Sequence, residues 1–223
     1  MNIKRIALVL ALVLLTVGGG IGYTYHAERT PEHALAELQA GIKSRDYNKV
    51  KQYADLGALI ETTYDESTKI MADNIESLSK TYPQDWFFRH DTAFMQNYIA
   101  ARRGDDLVFI QRTLDFYMDQ QATPLSRVEG QAKWVSDEMT KFEDSYTAEV
   151  KSVQQKDGMA LATVEFTGRD TEYGRLVPHL TVVLELTRQP DEHWKVTRVH
   201  NVKEAFDPVL KGIEDYCTLQ GWQ

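Results

Sequence analysis

The chain of 223 residues contains a single cysteine, Cys217, so it cannot close an internal disulfide or assemble a Cys-rich zinc or iron–sulfur site. It lacks an excess of basic residues: 25 Lys and Arg stand against 33 Asp and Glu, for a net charge of −8. Such an acidic chain is a poor match for a nucleic-acid surface. Nucleophile elbows of the Gly-x-Ser-x-Gly type are absent, and so is a phosphate-cradling glycine loop outside the N-terminal segment. None of the six histidines forms a His-x-x-x-His or His-Glu-x-x-His pair, and no Asp-x-Asp-x-Asp-Gly calcium loop occurs. No metal or other cofactor is therefore expected. The chain also lacks internal repeats and low-complexity tracts. Hydrophobic residues at 43% and charged residues at 26% are those of a chain that buries a core.

What the sequence does have is one long apolar run. Ile6 to Gly22 is apolar apart from Gly and Thr, and the charge-free span extends through Tyr25, 20 residues in all. A helix of about 20 residues at 1.5 Å each spans a hydrocarbon core of roughly 30 Å. Lys4 and Arg5 precede it, which keeps the N-terminus cytoplasmic, and Tyr23 and Tyr25 stand where interfacial aromatics anchor a span. Residues 1–25 are expected to be a signal anchor and residues 26–223 an extracytoplasmic domain. The alternative is a cleaved signal peptide, with Ile6 to Val17 as its apolar region and Gly18 and Gly20 before a cut at Ile21. Beyond Lys4 and Arg5 the chain keeps 23 basic and 33 acidic residues, a charge of −10. Anionic headgroups repel that charge, so the anchor and not a basic patch must hold the domain at the membrane.

Residues 31–143 read as helical. Thr30-Pro31-Glu32 is a cap followed by Pro and an acid. Asp46 and Asp55 are caps for two further helices, the second carrying Leu59, Ile60, Tyr64, Met71, Ile75 and Leu78. Trp86, Phe87, Phe94, Met95, Tyr98 and Ile99 mark a helix that Arg102-Arg103-Gly104 is expected to end. Asp105 or Asp106 then caps a helix with Leu107, Ile110, Leu114, Tyr117 and Met118. Thr123-Pro124 repeats the cap-plus-Pro signature before Val128, Trp134, Val135, Met139 and Phe142.

At Ser145 the period changes to two, and residues 145–201 read as four antiparallel strands. Lys156-Asp157-Gly158 is a hairpin turn, Gly168 to Arg175 a polar loop, and Gln189-Pro190-Asp191-Glu192 the last turn. Leu180, Val182, Leu184 and Leu186 form an apolar strand face that needs a helical cover. Residues 207–217 are expected to form a terminal helix. The fold class is α+β: an N-terminal transmembrane helix, then a helical half packed on a four-stranded antiparallel sheet.

Two stretches carry a resemblance. Pro31 to Leu59, with Ser44, Asp46, Tyr53, Ala54, Asp55 and Leu56 at a helix–break–helix step, is similar to the opening of bacterial domain-of-unknown-function family 2939. His179 to Val199, ending in Trp194-Lys195-Val196, resembles the end of that family. The helical opening followed by a meander also resembles the cone-shaped α+β fold of ketosteroid-isomerase-like proteins. The family resemblance implies a membrane-anchored envelope protein and no particular activity.

The remaining chemistry is confined to one sheet face. Glu165, Glu185, His179 and His200 would line a pocket if the sheet curls, and a carboxylate buried there could act as a base. That would make a cone-fold enzyme of proton transfer or hydrolysis. The competing reading is the water-facing side of a half-exposed sheet, which leaves a non-enzymatic binding module. Its partners would be the membrane, through the N-terminal helix, and an envelope protein or small ligand.

Overall fold

A computed structural model of the chain describes residues 29–81, 90–205 and 207. The run Ile6–Tyr25, the aromatic group at Tyr82 to Phe88 and the expected terminal helix beyond Asp207 lie outside the described residues, as does the Leu78 side chain. Among the described residues, no helix is long and apolar enough to cross a membrane.

The order of elements is α1 (Pro31–Lys43), α2 (Tyr47–Tyr53), α3 (Leu56–Asp73), α4 (Ile75–Thr81), α5 (Thr92–Met118), α6 (Arg127–Asp144), β1 (Tyr146–Lys156), β2 (Met159–Gly168), α7 (Glu172–Leu176), β3 (His179–Arg188) and β4 (Trp194–Val199). The first three helices start where their caps predict. Thr30 Oγ1 accepts from His33 N at 3.2 Å, Asp46 Oδ1 from Lys49 N at 3.0 Å, and Asp55 Oδ1 from Ala58 N at 3.0 Å.

The middle of the helical half departs from expectation. Arg102-Arg103-Gly104 does not end a helix; α5 runs through it for 27 residues. The arginines act sideways. Arg103 makes a bidentate pair with Asp65 of α3 at 2.7 and 2.9 Å, and Arg102 reaches one turn ahead to Asp106 at 3.1 Å. Asp106, expected as a cap, is instead a buried acceptor that Tyr64 Oη of α3 reaches at 2.8 Å. These ties to α3 outweigh the roughly 1 kcal/mol that a mid-helix glycine costs.

Thr123-Pro124 does not open α6 either. Ser126 does: its Oγ accepts from Glu129 N at 3.1 Å, while the Glu129 carboxylate takes Leu125 N at 2.7 Å. This reciprocal pair satisfies two exposed N–H groups, which a Thr123 cap would leave open. Tyr117 bonds Glu143 and Gln120 bonds Thr140, so α5 ends beside the C-terminal half of α6. Residues 121–126 must then run back along α6 to its start, and Thr123-Pro124 lies in that return. Val135, Met139 and Phe142 are buried, with Ala132. Val128, in the overhanging first turn, and Trp134, on the other side of the helix, are exposed.

The sheet has the expected order β1-β2-β3-β4, all antiparallel. Asp157 and Gly158 turn with φ of 50° and 79°, the two left-handed positions that a two-residue hairpin needs. Leu180, Val182, Leu184 and Leu186 oppose Phe166, Val164, Ala162 and Ala160, and all eight are buried. Val196 and Val199 of β4 extend the same apolar layer. Helices α1, α2 and α3 pack against β4 and cover this face. The outer edge of β4 is partly closed by Asp55, whose N–H donates to Val196 O at 2.9 Å. The segment read as a polar loop after Gly168 holds one short helix, α7, capped by Thr171.

Candidate functional site

On the open face of the sheet, side chains alternate with the buried ones: Leu161, Thr163 and Glu165 on β2, then His179, Thr181, Val183, Glu185 and Thr187 on β3. Antiparallel register fixes the spacing of the four candidate residues. Glu165 stands opposite Thr181, Glu185 opposite Leu161, and His179 opposite Thr167. His179 and Glu185 are six residues apart on one strand, about 20 Å. Glu165 is four register steps from Glu185, about 13 Å.

Two of the four meet. The chain turns after β4 so that His200 N donates to Val183 O at 2.7 Å, and the imidazole Nδ1 then lies 3.8 Å from Glu185 Oε2. Asn201 fixes that turn by donating to Thr181 O and accepting from Val183 N. The His200 side chain is 53% exposed and that of Glu185 21%. At that distance the carboxylate and imidazole are not hydrogen-bonded, but both are placed to meet one polar group, with water screening the pair.

Glu165 is engaged elsewhere. It sits across from Glu149 of β1, a like-charge juxtaposition. The register slips between Val150 and Ser152, and this bulge sets Lys151 against both carboxylates, at 2.7 Å from Glu149 and 3.1 Å from Glu165. Those two hydrogen bonds raise the Lys151 pKa. His179 is exposed at the far end of β3.

A second polar set lies among the helices, and motif reasoning missed it. Tyr117 is fully buried, its Oη donates to Glu143, and the Arg45 guanidinium lies 3.7 Å above its ring while donating to Glu143 at 3.0 Å. Arg45 holds a left-handed backbone, φ 55°, at the break between α1 and α2. Such a conformation costs about 1 kcal/mol or more without glycine. The stacked and paired guanidinium offsets that cost. Tyr47 of α2 donates to Asp115 of α5 at 3.2 Å, and Gln111 bonds both. Tyr173 of α7 donates to Glu138 of α6. With Tyr64 and Asp106, four tyrosines each donate a hydrogen bond to a carboxylate on another helix.

Burial raises the pKa of Tyr64, Tyr117 and Tyr47, so all three stay protonated donors. Burial also raises that of Asp106, against the pull of Tyr64 and Arg102. The available signal was the spacing Arg102/Asp106 and Gln111/Asp115 at i,i+4, together with tyrosines on otherwise apolar stripes. Among the described residues no group of three or more His, Cys, Asp or Glu is placed to hold a metal ion.

Comparison of the chain with protein-family models, curated proteins and solved structures found no match.

Proposed function

We propose that this chain is a single-pass membrane protein whose α+β body stands outside the cytoplasm and binds an envelope protein or small ligand without turning it over. The observation that carries the reading is the 20-residue charge-free run Ile6–Tyr25, preceded by Lys4 and Arg5 and followed by a domain of charge −10. The resemblance that the residue pattern of Pro31–Leu59 and His179–Val199 bears to the domain-of-unknown-function 2939 family would imply the same placement. The body offers a partner several exposed apolar side chains on and before its outer helices: Val108, Leu125, Val128 and Trp134. The open sheet face adds hydrogen-bonding groups in Thr163, Thr181, Glu185 and His200.

Membrane fractionation with N-terminal sequencing, combined with a reporter fused to the C-terminus, tests this. The expected result is an intact chain in the membrane fraction with the reporter outside the cytosol. A mature chain beginning at Ile21 eliminates the anchor, and a cytosolic reporter reverses the compartment.

A further inference from the structure

We infer that the end of the sheet carrying the β1–β2 and β3–β4 turns faces the lipid headgroups and touches them. The inference rests on the membrane anchor proposed above and adds an orientation and a contact surface.

The folded body begins at a fixed point. The buried Trp194 indole Nε1 donates to Arg29 O at 3.2 Å, and the Arg29 guanidinium lies 2.6 Å from Glu192. Thr30 then caps α1. The chain thus enters the fold beside the first residue of β4. Tyr25, the last residue of the charge-free run, is only four residues before Arg29. In any conformation four residues span at most about 14 Å. The headgroup layer of one leaflet is itself about 5–8 Å deep. An anchor that ends at the interface therefore holds Arg29 in or just above the headgroups, and whatever surrounds Arg29 is carried there with it.

What surrounds it is the turn end of the sheet. Arg188 N donates to Gly158 O at 2.9 Å and Gln189 N to His193 O at 2.7 Å, so the two turns are neighbours. Arg29, Lys156, Arg188 and Lys195 gather here with Glu32, Asp157, Asp191 and Glu192, and Glu28 adjoins Arg29 in the sequence. This end is thus close to neutral on a body that carries −10 overall. An anionic leaflet repels the acidic remainder more than this near-neutral end, and the force acts only within about 8 Å at physiological salt. Met159, 48% exposed beside the turn, and the long Lys156 side chain suit the apolar–polar boundary. The loop at the other end of the strands, with Asp170, is a ten-residue strand away, about 30 Å.

The test uses the full chain with Cys217→Ser and one dye-labelled cysteine, Gln155→Cys at the turn end or Asp170→Cys at the far end. Each protein is reconstituted into phosphatidylcholine–phosphatidylglycerol vesicles containing a headgroup-attached nitroxide lipid. Both positions are exposed, so the labels leave the core intact. The expected result is loss of most of the fluorescence at position 155 and none at position 170. Equal quenching at both, or stronger quenching at 170, in protein that floats with the vesicles overturns the orientation and leaves the anchor standing. Protein that does not float with vesicles overturns the anchor and this inference together.

Discussion

Gly168 and Gly174 face one another across the loop between β2 and β3, and neither can accept a side chain. A Cβ on Gly168 would lie 2.2 Å from Gly174 O and 2.8 Å from its carbonyl carbon. A Cβ on Gly174 would lie 2.2 Å from Arg169 O and 3.0 Å from Ser145 O. The two 2.2 Å approaches are more than about 1 Å inside contact distance, and the atoms met are backbone. The backbone cannot give way cheaply, because Gly168 N is bonded to Pro178 O and Arg169 N to Ser145 O, each at 2.8 Å. Overpacking of this kind costs about 1–3 kcal/mol, and loss of one of those bonds adds about 1 kcal/mol. We expect Gly168→Ala and Gly174→Ala each to cost about 3 kcal/mol. For a chain of this size that lowers Tm by about 6–12 °C. Circular-dichroism melting of the full chain in mild detergent reads the shift. Both substitutions force apart the same two backbone stretches, Gly168-Arg169 and Gly174, so the double variant should fall well short of the sum. Wild-type melting of either single variant would show that the loop is not packed as described.

Other substitutions probe other parts of the fold. Gly104→Ala should raise stability by up to about 1 kcal/mol, because the site is mid-helix with nothing within 4 Å of the added carbon; destabilisation in a urea titration would restore Gly104 as a helix terminator. Leu184→Asp places a charge at a fully buried core position and should abolish cooperative melting altogether. Tyr117→Phe keeps the ring under Arg45 but removes the donor to Glu143, and should shift the urea midpoint by an amount equivalent to about 2 kcal/mol. Burial raises the Asp106 pKa, so this group favours the fold most below the ordinary aspartate value of about 3.9 and loses that contribution as pH rises through its raised folded value. Asp106→Asn should therefore gain on the wild type as pH increases across that window, and a difference in urea midpoint independent of pH would contradict the assignment.

The sheet was legible because its signals are local and redundant. Alternation at Leu180, Val182, Leu184 and Leu186, and Asp157-Gly158 between two strands, require no knowledge of distant residues. The caps at Thr30, Asp46 and Asp55 are equally local. The course of α5 was not legible, because it is decided by residues far away in sequence. Arg102, Arg103 and Gly104 carry every mark of a helix end, and it takes Asp65, 38 residues earlier, with Glu61 beside it, to turn Arg103 into a lateral tie. The start of α6 was displaced for a similar reason: Gln120 and Tyr117 seat the chain against Thr140 and Glu143 before Ser126 can cap. On the open sheet face, alternation put His179, Glu165 and Glu185 on one side. Register then separated them along the strands, a distance that a face assignment does not contain. The meeting of Glu185 with His200 depends on the Asn201 turn, which no motif announces.

The same contrast explains how the helical half holds one arrangement. Helix α5 has apolar and charged residues distributed around most of its circumference, so apolar burial alone does not fix its rotation. Directional groups do: Asp106 faces Tyr64, Asp115 faces Tyr47, and Tyr117 faces Glu143, each on a different neighbouring element. Rotating α5 by one residue, about 100°, would break all three bonds and leave the buried Asp106 and Tyr117 oxygens unpaired, at about 1–3 kcal/mol apiece. The polar ties therefore also decide which apolar side chains stay outside. Val108 is held in water because Asp106 and Ile110 on either side of it are held in the core. If the exposed apolar residues of the outer helices form the partner surface, that surface is specified from beneath by tyrosine–carboxylate bonds. A variant such as Tyr64→Phe should then weaken partner binding without touching the partner.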